Sequence, residues 1–362
     1  MTPILLTLLL ACSDKADPVD TGAETSTTTD TSTGVTDTSG AETGTPGGDD
    51  TGDTDAGTAD SGDDTSNTDD TGGTGGTGGA DDTDDTDDTT GAASEAVFEA
   101  LITATDPVMG EQSCFRPGAG CVTLSADESC VNDATLSGEV VDFERGDAVA
   151  DARVSVFLDD IWDSTPDETL TSDRDGRIGG VELPTCTPIT WEVTTDPHLA
   201  ETVATVSGHL SLTPDGVSDA AIPSFSADTA AIIPSLLGVT VEEGAGMVSG
   251  VLRDCAGDAL VGAQVIIDVG GGYPEGQSSH YFVNDFPNRD QEATSADGLW
   301  LLLNLPPGPA QVEAWGVVEG LDEPILLAYT DAEVISDGVT LVDLQMGYCG
   351  PYIPDACLEP CE

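Results

Sequence analysis

Across 362 residues the chain carries 69 acidic side chains against eight basic ones, a formal net charge of −61. Such a polyanion repels nucleic acid and anionic lipid headgroups, which excludes both as expected partners and favours solubility and cations. The charge is not confined to one segment: residues 13–94 hold 22 acids and Lys15, and residues 95–362 hold 47 acids against seven arginines.

The chain opens on an apolar run, ILLTLLLA at residues 4–11. It is too short to span a bilayer as a helix, which needs about 20 residues, and it suits the apolar core of a signal peptide. Leu9-Leu10-Ala11-Cys12 resembles the bacterial lipobox, in which the cysteine thiol takes a diacylglycerol and the small residue before it permits cleavage. The resemblance implies a signal peptide over residues 1–12, lipidation of Cys12, and a membrane held through that lipid anchor in the bacterial cell envelope. Ser13 favours the outer membrane or cell surface. The leading MTP carries no Lys or Arg, a departure from the pattern.

Residues 13–94 are almost wholly Asp, Thr, Gly, Ser and Ala, as in DDTDDTDDTT, and the first aromatic of the chain is Phe98. Without large apolar side chains such a segment cannot offset the entropy of folding, so a disordered linker is expected. As a flexible coil it would span about 50 Å, a tether further extended by its own charge. Its Asp pairs suit weak counter-ion binding, because a tight Ca²⁺ site needs about six to eight oxygens on a fixed turn.

Eight cysteines remain after Cys12: Cys114, Cys121 and Cys130 in an N-terminal segment over 95–131, then Cys186, Cys255, Cys349, Cys357 and Cys361. An even set behind an export signal reads as disulfides formed in an oxidising compartment. Cys114 and Cys121, in CFRPGAGC, are placed to close a small loop, and the last cysteines to pin a tail over 348–362. The Cys357–Cys361 spacing fits one end of a zinc site, but no second pair or nearby His completes it, so neither metal nor cofactor is expected.

Beyond the linker, short alternating apolar runs separated by Gly, Pro and Asp turns read as antiparallel sandwich strands, and they repeat. LSGEVVD at 136–142 matches VSGVLRD at 248–254, and VADARVSVF at 149–157 matches VGAQVIIDV at 261–269. SDRDGRIGGVELP at 172–184 matches SADGLWLLLNLP at 295–306, and ITWEV at 189–193 matches AQVEA at 310–314. This order resembles the carboxypeptidase regulatory-like family, more closely in the second copy. The resemblance implies an all-β chain of two tandem Greek-key, transthyretin-like β-sandwiches, over 132–225 and 244–347. It also implies a non-catalytic accessory, carbohydrate-binding-like or surface role. Gly179-Gly180 stands where the second copy has apolar strand residues, an expected irregularity. Between the copies, in a connector over 226–243, residues 226–238 read as a short helix capped by Ser226, ended by Gly238 and interrupted by Pro234.

His198, His209 and His280 are the only histidines, none in a zinc-protease spacing, and no nucleophile elbow or phosphate loop is present. The chain therefore reads as a non-enzyme that binds an envelope glycan or protein. A hydrolase built on a pair of carboxylates brought together in space is the alternative. Trp191 and Trp300 fall in phase with core positions. Trp315 falls out of phase with Val312 and Ala314 and is expected to be partly exposed, and Trp162 lies in a polar loop. The long insertion at 270–287 carries Tyr273, His280 and Tyr281, and long loops on rigid sandwiches commonly carry function. Trp162, Tyr273, His280, Tyr281 and Trp315 are thus the candidate ligand-binding residues.

Overall fold

The computed structural model describes residues 98–116, 120–158, 165–196, 198, 202–351, 353–358 and 360–361. Cys12, the acidic linker and Trp162 lie outside these described residues. The first repeat supplies β1 (Asp133–Asp142), β2 (Arg153–Phe157), β3 (Glu168–Thr171), β4 (Arg177–Pro184), β5 (Pro188–Thr194), β6 (Thr202–Val203), β7 (Thr205–Ser211) and β8 (Val217–Ser226). They form two sheets, ordered β4-β1-β8-β6 and β3-β2-β5-β7, with β8 parallel to β1. β5 shows the alternation that drives this: Ile189, Trp191 and Val193 are buried and the residues between them are not. Their faces meet Leu136, Val140, Val154 and Ile222 in one core.

A helix, α1 (Ala227–Leu237), leads to the second repeat. This consists of β9 (Gly246–Arg253), β10 (Gln264–Val269), β11 (Ser279–Val283), β12 (Phe286–Asn288), β13 (Leu299–Leu305), β14 (Gly308–Gly316), β15 (Ile325–Val334), β16 (Val339–Leu341) and β17 (Leu344–Gln345). β13 pairs with β9, and β16 and β17 run parallel to β9. β10-β14-β15 form the facing sheet around a core that includes Val248, Val265, Trp300 and Leu302. The chain is all-β, and both repeats place their matching strands in the same order.

The shared motifs serve the same purpose in both copies. A Cβ on Gly138 would lie 2.3 Å from the Ala220 oxygen, and one on Gly250 would lie 1.7 Å from the Val342 oxygen. Each Ser-Gly pair therefore lets the parallel return strand approach closely. Gly176 and Gly298, at φ 77° and 67°, make the turns into β4 and β13, a conformation that favours glycine. Gly179 and Gly180 lie within β4, where the expected irregularity takes the form of a bulge: the pairing with β1 shifts register between Leu136–Val181 and Gly138–Ile178.

The two tandem repeats share a sheet. β16 pairs with β9 of its own module and with β7 of the first, so one sheet runs through both modules, from β12 to β3. This explains the continuous apolar run of β13: Trp300 and Leu302 face their own core, while Leu299, Leu301 and Leu303 face a junction core with Phe225, Ala230, Leu237 and Met247. α1 sits over that junction. The Ser226 hydroxyl accepts from the Thr229 amide, Gly238 closes the helix at φ 76°, and the helix continues through Pro234. Arg289 donates to the Leu236 and Ser235 carbonyls at 2.6 and 3.2 Å, capping its C-terminus.

Two terminal straps complete the unit. The N-terminal strap pairs with the second module, Val108 donating to Val317 at 2.8 Å and Met109 to Val261 at 2.9 Å. It then runs beside the C-terminal tail, where Cys349 donates to Val122 and Asp127 to Cys357. The disulfides are Cys114–Cys255, Cys121–Cys349, Cys130–Cys361 and Cys186–Cys357, which replaces the expected Cys114–Cys121 loop. The tail is pinned as anticipated, and Cys130, Cys186, Ile353 and Cys357 form a small buried cluster against the first module.

Candidate functional site

On β14 the core residues Val312 and Ala314 are fully buried, so Gln311, Glu313 and Trp315 project from the opposite face of the sheet. The segment after β10 brings Tyr273 over that face. Two donors converge on one Glu313 oxygen: the Trp315 indole N–H at 2.8 Å and the Tyr273 hydroxyl at 3.0 Å. Phe98 packs edge-on against Trp315, with ring centroids 4.6 Å apart, and lies 6.0 Å from Tyr273. Glu313 is only 8% exposed although it sits on the outer face. Gln264, opposite Trp315, holds the covering segment in place by accepting from the Thr103 and Ala104 amides at 2.7 and 2.8 Å.

Burial raises the Glu313 carboxyl above its ordinary value, opposed by the hydrogen bonds from Trp315 and Tyr273, while nearby Asp268 pushes it further up. Burial, followed by the charge of Glu313, raises the Tyr273 hydroxyl. The result is a desolvated carboxylate framed by aromatic rings from three separate segments. Such a site can stack on the apolar face of a ring and accept its hydroxyls.

Sequence reasoning thus selected two residues that the fold brings together, Tyr273 and Trp315. Tyr281 is a correction. It is 1% exposed, and its hydroxyl accepts from the Val265 amide at 2.9 Å, which makes it a core residue, with burial raising its pKa to about 12. Residues 279–288 are not a loose loop but the β11–β12 hairpin, added to the sheet edge at β13, and alternation turns Tyr281 inward. His280 therefore points the other way, half-buried, with Nε2 3.1 Å from the Ser278 hydroxyl and its pKa lowered by burial. It does not join the Glu313 cluster. Glu313 itself was missed, although the alternation that exposes Trp315 also places it outward. Among the described residues no group of His, Cys, Asp and Glu is placed to hold a metal.

No family model matches the chain. No curated protein matches it. The resemblance to carboxypeptidase regulatory-like modules therefore stands at the level of the β-sandwich and not of that family. Among solved structures, the TIE protein of Bacillus anthracis aligns at 15% identity over 59% of this chain and 34% of that one, with a TM-score of 0.18. The shaft pilin SpaA from Lactobacillus rhamnosus GG aligns at 10% over 60% and 98%, and a streptococcal ancillary pilin at 12% over 61% and 63%, both with a TM-score of 0.20. The chain thus spans about a third of the TIE protein. Superposition this loose fixes neither activity nor ligand.

Proposed function

We propose that this chain is a non-catalytic protein of the bacterial cell envelope, anchored by a lipid on Cys12, that binds an envelope glycan on the outer face of β10-β14-β15. The observation that carries this reading is the convergence of Tyr273 and Trp315 on the buried Glu313 carboxylate. Aromatic faces stack on sugar rings, and a carboxylate orients them through their hydroxyls. The four disulfides fit an oxidising compartment outside the cytoplasm. The lipobox cysteine and acidic tether support a module held off a membrane.

The test is titration of the full chain with peptidoglycan fragments and capsular glycans, followed by tryptophan fluorescence. Binding that perturbs emission and is lost in Trp315→Ala supports the proposal. Saturable binding that Trp315→Ala leaves intact removes this face from consideration. Release of sugar products that stops in Glu313→Gln would instead establish a hydrolase.

A further inference from the structure

A second surface lies at the module junction, away from the Glu313 cluster. Beneath α1, where it faces β11–β13, a cleft of about 150 Å³ is floored by Phe143, Phe225, Phe282 and Leu301. Its mouth is apolar as well: Ile232, Leu236 and Phe286 line it at 54%, 52% and 70% exposure. Large apolar side chains left this exposed on a single rim mark an interaction site when they form one patch. Phe286 is held there by a tight turn, Asn284 and Asp285 both adopting positive φ.

The charge around the cleft decides what fits. Glu144 and Asp285 line it beside the apolar floor. Of the nearby cations, Arg145 pairs with Asp228 at 3.9 Å and Arg289 is committed to the carbonyls of α1. A second copy would bring another net −40 from residues 95–362 against this rim, and anionic lipid would be repelled in the same way. The chain's own first 97 residues hold no aromatic, confine their leucines to the expected signal peptide, and set one lysine against 23 acids, so they do not match it either.

We propose that this cleft docks a segment of a basic partner protein, an aromatic or leucine side chain filling the pocket while flanking Lys or Arg residues meet Glu144 and Asp285. The cleft is about the size of one such side chain, the usual geometry of an interface anchor. The partner is a polypeptide, and its recognition is independent of any glycan bound on the β10-β14-β15 face.

The experiment is panning of a random-peptide display library on the full chain. Synthetic versions of the enriched sequences are then titrated against wild type, Phe286→Ser and Ile232→Ser. Both substituted residues are largely exposed, so the variants keep the fold, which circular dichroism confirms. The expected result is enrichment of an aromatic or leucine within a Lys/Arg-rich stretch, with binding weakened at least about tenfold by either substitution and further by added salt. Three results would overturn the proposal: no enrichment, binding by basic peptides that is indifferent to both substitutions, or self-association of the chain that Phe286→Ser abolishes. Trp315→Ala should leave peptide binding unchanged, which separates failure here from failure of the glycan reading.

Discussion

In the first module the outer edge of β2 is closed by a strand, β3 pairing with it from Arg153–Thr171 to Val156–Glu168. In the second, the matching edge of β10 is closed by side chains. The Val265 amide donates to the Tyr281 hydroxyl and its carbonyl accepts from the Ser279 hydroxyl. The Gln277 carboxamide accepts from the Ile267 amide at 3.0 Å and donates to the Ile267 carbonyl at 3.1 Å. A buried edge must satisfy its backbone groups in one way or the other. Using side chains frees the third strand to cross over and extend the sheet at β13. That crossing carries Tyr273 over one face and builds the rim of the junction cleft with Phe286. One choice of edge closure thus produces both candidate surfaces.

The comparison presumes two modules, and the largest expected effect tests whether they are separable. Replacing Cys186 and Cys357 together by Ala removes the covalent link between the tail and the first module, across a separation of 171 residues, while Cys130–Cys361 remains. The expected cost is about 3 kcal/mol in urea unfolding. Because β16 bridges β7 and β9, the loss should appear in one cooperative transition. Two resolved transitions, with only the first-module signal moved, would show that the shared sheet does not couple the halves.

The next effect addresses edge closure directly. Tyr281→Phe leaves the buried Val265 amide without its acceptor and should cost about 1–3 kcal/mol, and Gln277→Leu, which orphans both groups of Ile267, should cost as much or more. On β3 the pairing is made by backbone groups, so Thr169→Ala should stay within about 0.5 kcal/mol. Equal losses at the two edges would mean that the side-chain bonds of β10 are not what closes it.

What the sequence made legible follows from the range of the signal. Alternation and the repeated Ser-Gly and Asp-Gly pairs are local, so the all-β class, the internal repeat, α1 with its caps and the core positions of Trp191 and Trp300 could be read directly. The disulfide partners are 141–231 residues apart and are set by straps whose course is tertiary. β16, a strand of only three residues, fuses the modules without any pattern of its own. Tyr281 was misread because residues 270–278, with four glycines and Pro274, hide the return to a strand. Glu313 went unnoticed as one acid among many.

The smallest effect separates the same glutamate in its two settings. Glu192 on β5 occupies the position of Glu313 on β14, and Arg153 that of Gln264, in the aligned repeats. Burial raises both carboxyls, but Glu192 is offset by the charge of Arg153, whereas Glu313 has only the Trp315 and Tyr273 hydrogen bonds against it. A raised folded value means that the native state holds the proton more tightly than the unfolded chain. Stability therefore falls as pH rises from the ordinary value of 4.5 through the raised one. The self-repulsion of the acidic surface acts in the same direction but is nearly common to wild type and variants, so it largely cancels in their difference. Glu313→Gln should flatten the stability profile upward from about pH 4.5, measured by urea midpoints at each pH, and Glu192→Gln should flatten it less. If the two variants flatten it equally, the cation at Arg153 and the aromatic donors at Glu313 are energetically equivalent. The second module would then hold no specially desolvated carboxylate for a ligand to use.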